Sequence, residues 1–534
     1  MKLAQYLESV GLSVSEFAEM VGVAEASMSR YIAGKRVPRP EILRRITRAS
    51  GGRVEANDFF AAGTTPSGLA PCGPAPAGTA PPGADDTLAA FRAAHPEITA
   101  IDMLLCDMCG ILRGKRLAVD AADKLFAGGV AMPGSTFALD VTGTNVDATG
   151  TGMPDGDPDR FCLAVAGTLA PVPWAPRPTA QVLASMYNDD GHPFFLDPRH
   201  VLARVVARFA ELGLAPVVAL ELEFYLLDRE RDEDGRPQPS RSPLTGRRPA
   251  DTQVYGIDEI EDAAEVIDGV AAACAAQNIP AGIAVAEYAP GQYEINLAHQ
   301  ADALAACDHA LLLKRAIKGV ARGHGVEATF MAKPFADRSA NGLHVHISLT
   351  DRDGANAFDE ARPEGDRHLW HAIGGLKATM GEAMAIFAPN ANSFRRLQPG
   401  SYAPLATTWG FDNRTVALRV PAARGADRRI EHRTAGADAN PYLATAAVLA
   451  GIHHGLSQAI DPGQPTTGNA YEQHPPTLPS NWLDAIRTLE RAEVLPGYFD
   501  PEYLRIYAAC KRHEFGLFNA RITPTEFDWY LRAL

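Results

Sequence analysis

Residues 332–349, AKPFADRSANGLHVHISL, decide how the chain is read. Val345, Ile347 and Leu349 alternate with His344, His346 and Ser348, the period of a strand with one apolar and one polar face. The loop before it ends in Asn341-Gly342, residues suited to a turn. A strand with an apolar back and a His-x-His-x-Ser front is built to hold something, a metal ion or a phosphate. The plainer alternative is a half-exposed strand carrying two surface histidines. Other stretches decide between the two.

ALELEFYLLD (219–228) puts Glu221 and Glu223 on one strand face, with Leu220, Leu222 and Phe224 on the other. Two carboxylates pointing the same way from an apolar strand repel each other unless cations neutralise them. AEYAPGQYEINL (286–297) brings Glu287 and Glu294 around a Pro-Gly turn that lets them converge. RRIEHR (428–433) sets Arg429, Glu431 and Arg433 opposite Ile430 and His432. FDNRTVALRV (411–420) adds Arg414 and Arg419, and NSFRRLQPG (392–400) adds Arg395 and Arg396. Any one arginine fits a surface salt bridge, but this many fit bidentate recognition of carboxylates and phosphates. Oxygen ligands with one imidazole suit Mg²⁺ or Mn²⁺ better than a thiolate-seeking metal. Divalent cations beside arginines make a phosphoryl-transfer site, and without a GxxxxGK[ST] or kinase signature the phosphate cradle is not a P-loop.

A chain of 534 residues is too long for one core, so two or three domains are expected. No apolar run approaches the length of a membrane span, and Met1-Lys2 leads directly into an amphipathic pattern. Seven scattered cysteines make no disulfide framework, and the lone CxxC of Cys106 and Cys109 reads as structural or incidental. The cytoplasm is the expected location, without membrane attachment. Residues 1–60 carry nine Lys/Arg against seven Asp/Glu, a balance of +2, so a net charge of −14 leaves −16 on the remainder. Bulk electrostatics therefore disfavour nucleic-acid binding by the main body.

Residues 1–60 read as four or five short helices: KLAQYLESV stopped by Gly11, SEFAEMVG capped by Ser13 or Ser15, EASMSRYIAG ending at Gly34, and PEILRRITRAS opened by Pro40. Helix, tight turn, helix, then GKRVP resembles the Cro/C1-type helix-turn-helix family. That resemblance turns Ala26, Ser27, Ser29 and Arg30 toward a DNA major groove; a helical docking module is the alternative. Residues 61–86 form a Pro/Gly-rich linker, whose 24 residues from 61 to 84 would span about 27 Å if flexible. Beyond it, TAIDMLLCDMCGILRGKRLAV predicts two strands around a turn, the loop AMPGSTFALD and further strands follow, and PFFLDPRHVLARVVARFAELG predicts a helix. A small α+β domain over 87–195 is expected, then a domain over 196–534 with strands interleaved among Ala-rich helices near 260–276, 301–322, 366–387 and 441–459.

The ExEF strand, the turn glutamates, KP-loop-GxHxHxS, NSxRRLxPG, NRxxxLRxP, RRIExR and DANPYL, in this order, resemble the glutamine synthetase family over residues 88–534. The resemblance implies an α+β fold, a β-grasp domain followed by a catalytic domain, with active sites between subunits of hexameric rings paired into dodecamers. It implies ATP as substrate and two to three Mg²⁺ or Mn²⁺ ions. Glu223, Glu287 and Glu294 would hold one ion, and Glu221, His344 and Glu431 another. His346, Ser348, Arg419 and Arg429 would sit by the ATP phosphates, and Gly342, Arg396 and Arg433 would bind glutamate. Arg414 would stabilise the transferred phosphoryl group, making it, with Glu294 and Tyr402, a candidate catalytic residue. The family chemistry is formation of γ-glutamyl phosphate followed by attack of an amine.

Three departures matter. Ammonia-using members carry a Glu in a PGYEAP flap, where this chain has Pro399-Gly400-Ser401-Tyr402-Ala403-Pro404. They also carry an Asp in an FDGSS loop, where this chain has Pro133. Ser339 departs at a glutamate contact. An aromatic residue and a proline in place of two carboxylates suit an alkylamine better than ammonium, and the surrounding text resembles the γ-glutamylpolyamine branch. Tyr402, Glu223 and a water are the candidates for deprotonating the amine. Tyr471, near the position of a regulatory tyrosine in some members, reads as a surface tyrosine. The leading expectation is a glutamate–amine ligase of polyamine or alkylamine metabolism. The alternatives are an ammonia-using glutamine synthetase and a DNA-binding regulator with a ligand-sensing body.

Overall fold

A computed structural model of the protein describes residues 3–32, 40–50, 53–54 and 84–534, which fall into two units. The expected helix end at Gly34, the GKRVP segment and the linker from 61 to 83 lie outside the described residues.

In the first unit, α1 (Leu3–Val10), α2 (Val14–Val21), α3 (Glu25–Ile32) and α4 (Pro40–Ala49) enclose a small core that includes Leu7, Phe17, Val21, Met28 and Ile46. Ser13, not Ser15, caps α2. Its hydroxyl accepts the Glu16 amide at 3.2 Å, and the Glu16 carboxylate accepts the Ser13 amide at 2.8 Å, a reciprocal pair that satisfies two orphan donors. Gly22 ends the helix in the left-handed conformation, φ +73°, that glycine adopts without strain. Along α3, Met28 and Tyr31 face inward at three-residue spacing, which leaves Ser29 and Arg30 exposed and Ser27 half-buried. The side chain of Ala26 lies outside the described residues.

The second unit opens with α5 (Ala84–Ala94), so the expected linker boundary at residue 86 falls inside a helix. A six-stranded sheet follows: β1 (Ala100–Cys106), β2 (Leu112–Ala118), β3 (Val130–Pro133), β4 (Asp159–Ala164), β5 (Ala170–Pro171) and β6 (Thr179–Tyr187), ordered β2-β1-β6-β4-β3 with β5 on β6. The expected loop at 131–140 is thus partly strand, and Pro133 ends an edge strand, where its missing N–H costs no ladder bond. The helix expected from Pro193 begins at Pro198, capped by Asp197, whose carboxylate accepts the Arg199 amide.

The second sheet carries β7 (Ala215–Asp228), β8 (Ala281–Ala286), β9 (Gln292–Leu297), β10 (Val326–Thr329), β11 (Leu343–Thr350), β12 (Trp409–Phe411), β13 (Leu418–Val420) and β14 (Ile430–His432). Its order is β12-β13-β14-β11-β7-β9-β8, with β10 on β7. Apolar alternates of these strands, including Leu220, Leu222, Val345, Ile347 and Ile430, are fully buried in a hydrophobic core that also takes in the first sheet and the long helices. The helices Gly365–Phe387 and Pro441–Gln458 cross through glycines: a Cβ on Gly375 would lie 2.1 Å from the Gly451 carbonyl oxygen, and one on Gly455 2.0 Å from that of His371. Asn440 of the DANPYL segment caps the second of these helices. It accepts the Tyr442 amide, while its Nδ2 donates to the Asp107 carbonyl and so ties the helix to the turn after β1. With one sheet face sealed by this packing, the polar alternates share the other.

Candidate active site

Antiparallel register assembles the polar face. His344 on β11 stands opposite Glu221 on β7; Glu223 on β7 opposite Glu294 on β9; Glu431 on β14 opposite both His346 and Arg419. Residues far apart in sequence thereby become neighbours on one surface.

Glu221 lies between the two imidazoles, its carboxylate oxygens 2.5 Å from His344 Nδ1 and 3.2 Å from His346 Nε2. Glu431 reaches the same imidazole at 3.8 Å, accepts Arg419 at 2.8 Å and is ion-paired with Arg433. Donor atoms of Glu221, His344 and Glu431 all lie within 4.8 Å of one another, as do those of Glu223, Glu294 and His344. Glu287 lines one cavity with Glu221, Glu223, Glu294 and His344. Carboxylates with one imidazole at this spacing fit hard divalent cations.

The charge state fits as well. Burial, and then the charges of Glu221 and Glu223, push Glu294 up to about 11. Burial, and then Glu223 and Glu221, push Glu287 up to about 7. Against the opposing effect of burial, His344 and His346 hold Glu221 well below the ordinary glutamate range, and Arg433, His344 and His346 hold Glu431 at about 2. Five crowded carboxylates of which two are driven toward protonation form a site short of positive charge, which bound cations would supply.

The cavity measures about 490 Å³, and Arg396, Arg414, Arg433, Lys333 and Arg338 also line it. Arg396 is buried and anchored, donating to the carbonyls of Thr434 (2.7 Å) and Arg433 (3.0 Å). Arg433 Nε is buried with no hydrogen-bond partner among the described residues, a donor aimed at an acceptor still to come. The Gly342 amide donates to Glu223 at 2.6 Å. A Cβ at Gly342 would lie 3.0 Å from His344 Nε2 and 3.3 Å from an Arg396 nitrogen, so alanine there must displace one of them. Gly342→Ala is expected to lower turnover about tenfold with little change in thermal stability, checked by steady-state kinetics beside a melting curve.

A second cavity of about 290 Å³ lies along the sheet beside His346, His299 and Arg429. Arg429 donates to His346 Nδ1 at 3.3 Å. Arg419 lines neither cavity and instead bridges Glu431 and Asp412; Ser348, opposite Val217, lines neither.

The lining of the first cavity also includes three tyrosines. Tyr402 lines it beside Tyr255 and Tyr288. Tyr402 (φ +56°) and Tyr255 (φ +59°) both hold left-handed backbone, which is costly for a tyrosine and concentrated at functional sites. Tyr255 and Tyr288 escaped the sequence reading because the Tyr-Gly and Glu-Tyr contexts show no periodicity; like Tyr402, both are about half exposed at the cavity mouth. Ser339 also lines the cavity, and its carbonyl accepts the Tyr225 hydroxyl at 2.7 Å. Pro133 does not line this cavity. The reading of Tyr471 as a surface tyrosine needs correction: it is half-buried, and its hydroxyl donates at 2.8 Å to the carbonyl of Ala403, next to Tyr402. Asn469 caps the short helix that carries it and fixes this contact.

Among known proteins, a family description of the glutamine synthetase catalytic domain matches residues 195–530, and a helix-turn-helix description matches residues 3–51. The chain is 42% identical over 438 residues to gamma-glutamylputrescine synthetase PuuA of Escherichia coli (strain K12), spanning 82% of this chain and 93% of that protein. It is 33% identical over 445 residues to glutamate–isopropylamine ligase of Pseudomonas sp, spanning 81% and 95%. Gamma-glutamylethanolamide synthetase GlnA4 of Streptomyces coelicolor is 32% identical over 443 residues, spanning 82% and 92%. A solved GmaS/ADP complex superposes with a TM-score of 0.72 at 29% identity, covering 83% of this chain and 99% of that one. The glutamate row across the second sheet, the arginine-lined cavity and these likenesses agree: the chain belongs to the glutamine synthetase family.

Proposed function

We propose that this glutamate–amine ligase joins the γ-carboxyl of glutamate to a primary amine of an alkylamine or polyamine, with ATP consumed through γ-glutamyl phosphate. The observation carrying this reading is the presence of Tyr402, Tyr255 and Tyr288 on a cavity that four glutamates and four arginines also line. Aromatic side chains favour a hydrocarbon chain with an amine at its end over a small, strongly hydrated ammonium ion. The names of the three relatives, with putrescine, isopropylamine and an ethanolamide in them, point the same way.

In this reading Glu223, Glu287 and Glu294 hold one divalent ion, and Glu221, His344 and Glu431 a second, Mg²⁺ or Mn²⁺. When bound, such ions offset the charge on the phosphoryl oxygens. Arg396, Arg433 and the Gly342 backbone orient glutamate. His346, Ser348, Arg419 and Arg429 serve the ATP phosphates, Ser348 and Arg419 from outside the two cavities. Arg414 meets the phosphoryl group in flight. Tyr402 and Glu223 are the groups of this chain positioned to take the amine proton.

Phosphate release with glutamate, ATP and either putrescine, ethanolamine, small alkylamines or ammonium tests the reading. The expected result is a kcat/KM for the best alkylamine at least about 100-fold above that for ammonium. Preference for ammonium would make the protein an ammonia-using synthetase. Tyr402→Ala is expected to raise KM for the amine about tenfold while KM for glutamate stays within twofold.

Residues 1–60 form a DNA-reading module in this proposal, with Ala26, Ser27, Ser29 and Arg30 on the reading helix, residues 61–83 a tether, 84–195 the β-grasp domain with the helix that precedes it, and 196–534 the catalytic domain. The exposed Ser29 and Arg30 support the DNA role, and a gel shift with operon promoter DNA, with and without residues 1–60, decides it. Assembly into hexameric rings and a dodecamer in the cytoplasm is part of the same proposal. Exposed Phe518, Ile522, Phe527, Trp529 and Leu531 near the C-terminus are apolar surface that subunit contact would cover, and light scattering measures the assembly. Among the described residues no helix is long and apolar enough to cross a membrane.

A further inference from the structure

Away from the ligase cavity, the turn between β1 and β2 meets the helix Pro501–Asn519 at a buried cluster of two thiols and an ion pair. Cys109 Sγ and Cys510 Sγ lie within 4.8 Å of each other, and both face the carbonyl oxygen of Leu139 at 3.7 Å. Glu514 Oε1 lies 3.4 Å from Cys109 Sγ and 3.8 Å from Cys510 Sγ. Lys511 Nζ lies 3.2 Å from Cys109 Sγ and 3.0 Å from Glu514. Lys511 and Glu514 are 2% and 4% exposed, so both charges pay nearly full desolvation. Nothing in the ligase reaction uses them. Cys510 is fully buried, whereas Cys109 is partly open to solvent.

We infer that Cys109 and Cys510 are a peroxide-responsive thiol pair, a modification site that couples the β1–β2 turn to the C-terminal helix. The Cys109 thiol sits above its ordinary range because of its hydrogen bond with Cys510 and its burial, so it needs a local base and a local cation. Glu514 accepts the Cys109 proton, and the Lys511 ammonium stabilises the thiolate left behind. The thiolate sulfur attacks one peroxide oxygen; the O–O bond breaks, Cys109 becomes a sulfenic acid, and the departing hydroxide takes the proton back from Glu514 and leaves as water. The Cys510 sulfur then attacks the sulfenic sulfur, the S–OH bond breaks, and the second water carries off the Cys510 proton. Two thiols and one hydrogen peroxide thus give one disulfide and two waters, the sulfurs being oxidised and the peroxide reduced.

The test uses the full chain carrying Cys72→Ser, which leaves the six cysteines described in the structure as its thiols. It is treated with hydrogen peroxide under native conditions, then denatured and digested without reduction. The expected result is a loss of two thiols, a mass lower by about 2 Da and a linked peptide pair containing Cys109 and Cys510, all reversed by dithiothreitol. In Cys510→Ala, Cys109 is expected to stop as a sulfenic acid that dimedone traps; in Cys109→Ser, neither product forms. A Cys106–Cys109 link overturns the inference. So does a mass higher by about 14 Da joining Cys109 to Lys511 through oxygen, or an unchanged thiol titre.

Discussion

Glu221→Ala is expected to lower ligase turnover by about 10³-fold, equivalent to ~4 kcal/mol of transition-state stabilisation. Among the described residues, Glu221 is the side chain that hydrogen-bonds both histidines of β11, at 2.5 Å and 3.2 Å. Its removal takes one donor from the Glu221–His344–Glu431 group and frees both imidazoles to turn. Glu431 keeps its pairs with Arg419 and Arg433, so melting in chelator should change little. What should vanish is much of the stabilisation that Mg²⁺ or Mn²⁺ gives the parent protein. That stabilisation has a predicted pH dependence. Glu287 at about 7 and Glu294 at about 11 lie above the ordinary glutamate value. Above that value the unfolded chain has already released these protons while the folded, metal-free protein keeps them. Metal-free stability therefore falls as pH rises through the window. Cation binding expels the same protons, so the gain in Tm on adding metal should grow between about pH 6 and about pH 8. Turnover of Glu221→Ala above about a tenth of the parent's, or a metal-induced gain that shrinks as pH rises, would contradict this picture.

The sheet face was open to reading because strands write their two faces in alternate letters. Glu221, Glu223, His344, His346 and Glu431 each have a buried apolar residue on either side, or a buried histidine in the case of His432. That pattern fixes which face each occupies, but not which strand lies next to which. The β7–β11–β14 neighbourhood comes from pairing between segments more than 80 residues apart, which no local period encodes. It was reached through the resemblance and is seen directly only in the register. Other features were closed to the sequence for definite reasons. Tyr255 and Tyr402 owe their position to left-handed backbone, which a tyrosine does not advertise. Tyr471 reads as polar and exposed until the Ala403 carbonyl is seen 2.8 Å away. Cys109 and Cys510 meet where the DANPYL cap and the helix Pro501–Asn519 both reach the turn after β1, a pairing that the lone CxxC, read as structural or incidental, does not signal.

Arg414→Ala is expected to lower kcat by about 10³-fold while KM for ATP stays within about threefold. The argument rests on a contrast within one turn. Between β12 and β13, Asn413 is pinned: its Nδ2 donates to the carbonyls of Gly468 (2.8 Å) and Thr466 (3.2 Å), and its Oδ1 accepts the Thr415 amide at 2.9 Å. Its neighbour Arg414 is exposed, lines the cavity and makes no hydrogen bond to a described side chain or carbonyl. A rigid turn that presents an uncommitted guanidinium holds it ready for charge that exists only during transfer. Arg396, by contrast, is buried and spends two nitrogens on backbone carbonyls, so its loss should damage glutamate binding and stability together. Because Arg414 is exposed, its alanine variant should melt within about 0.5 kcal/mol of the parent, which separates a catalytic loss from an unfolded one. Arg414→Lys should recover little, since an ammonium cannot reproduce the two-pronged contact with phosphoryl oxygens. If kcat of the alanine variant stays within threefold of the parent, the transferred group must be met by Arg433, which lines the cavity and whose buried Nε has no partner among the described residues; the double variant would then show the loss that the single one lacked.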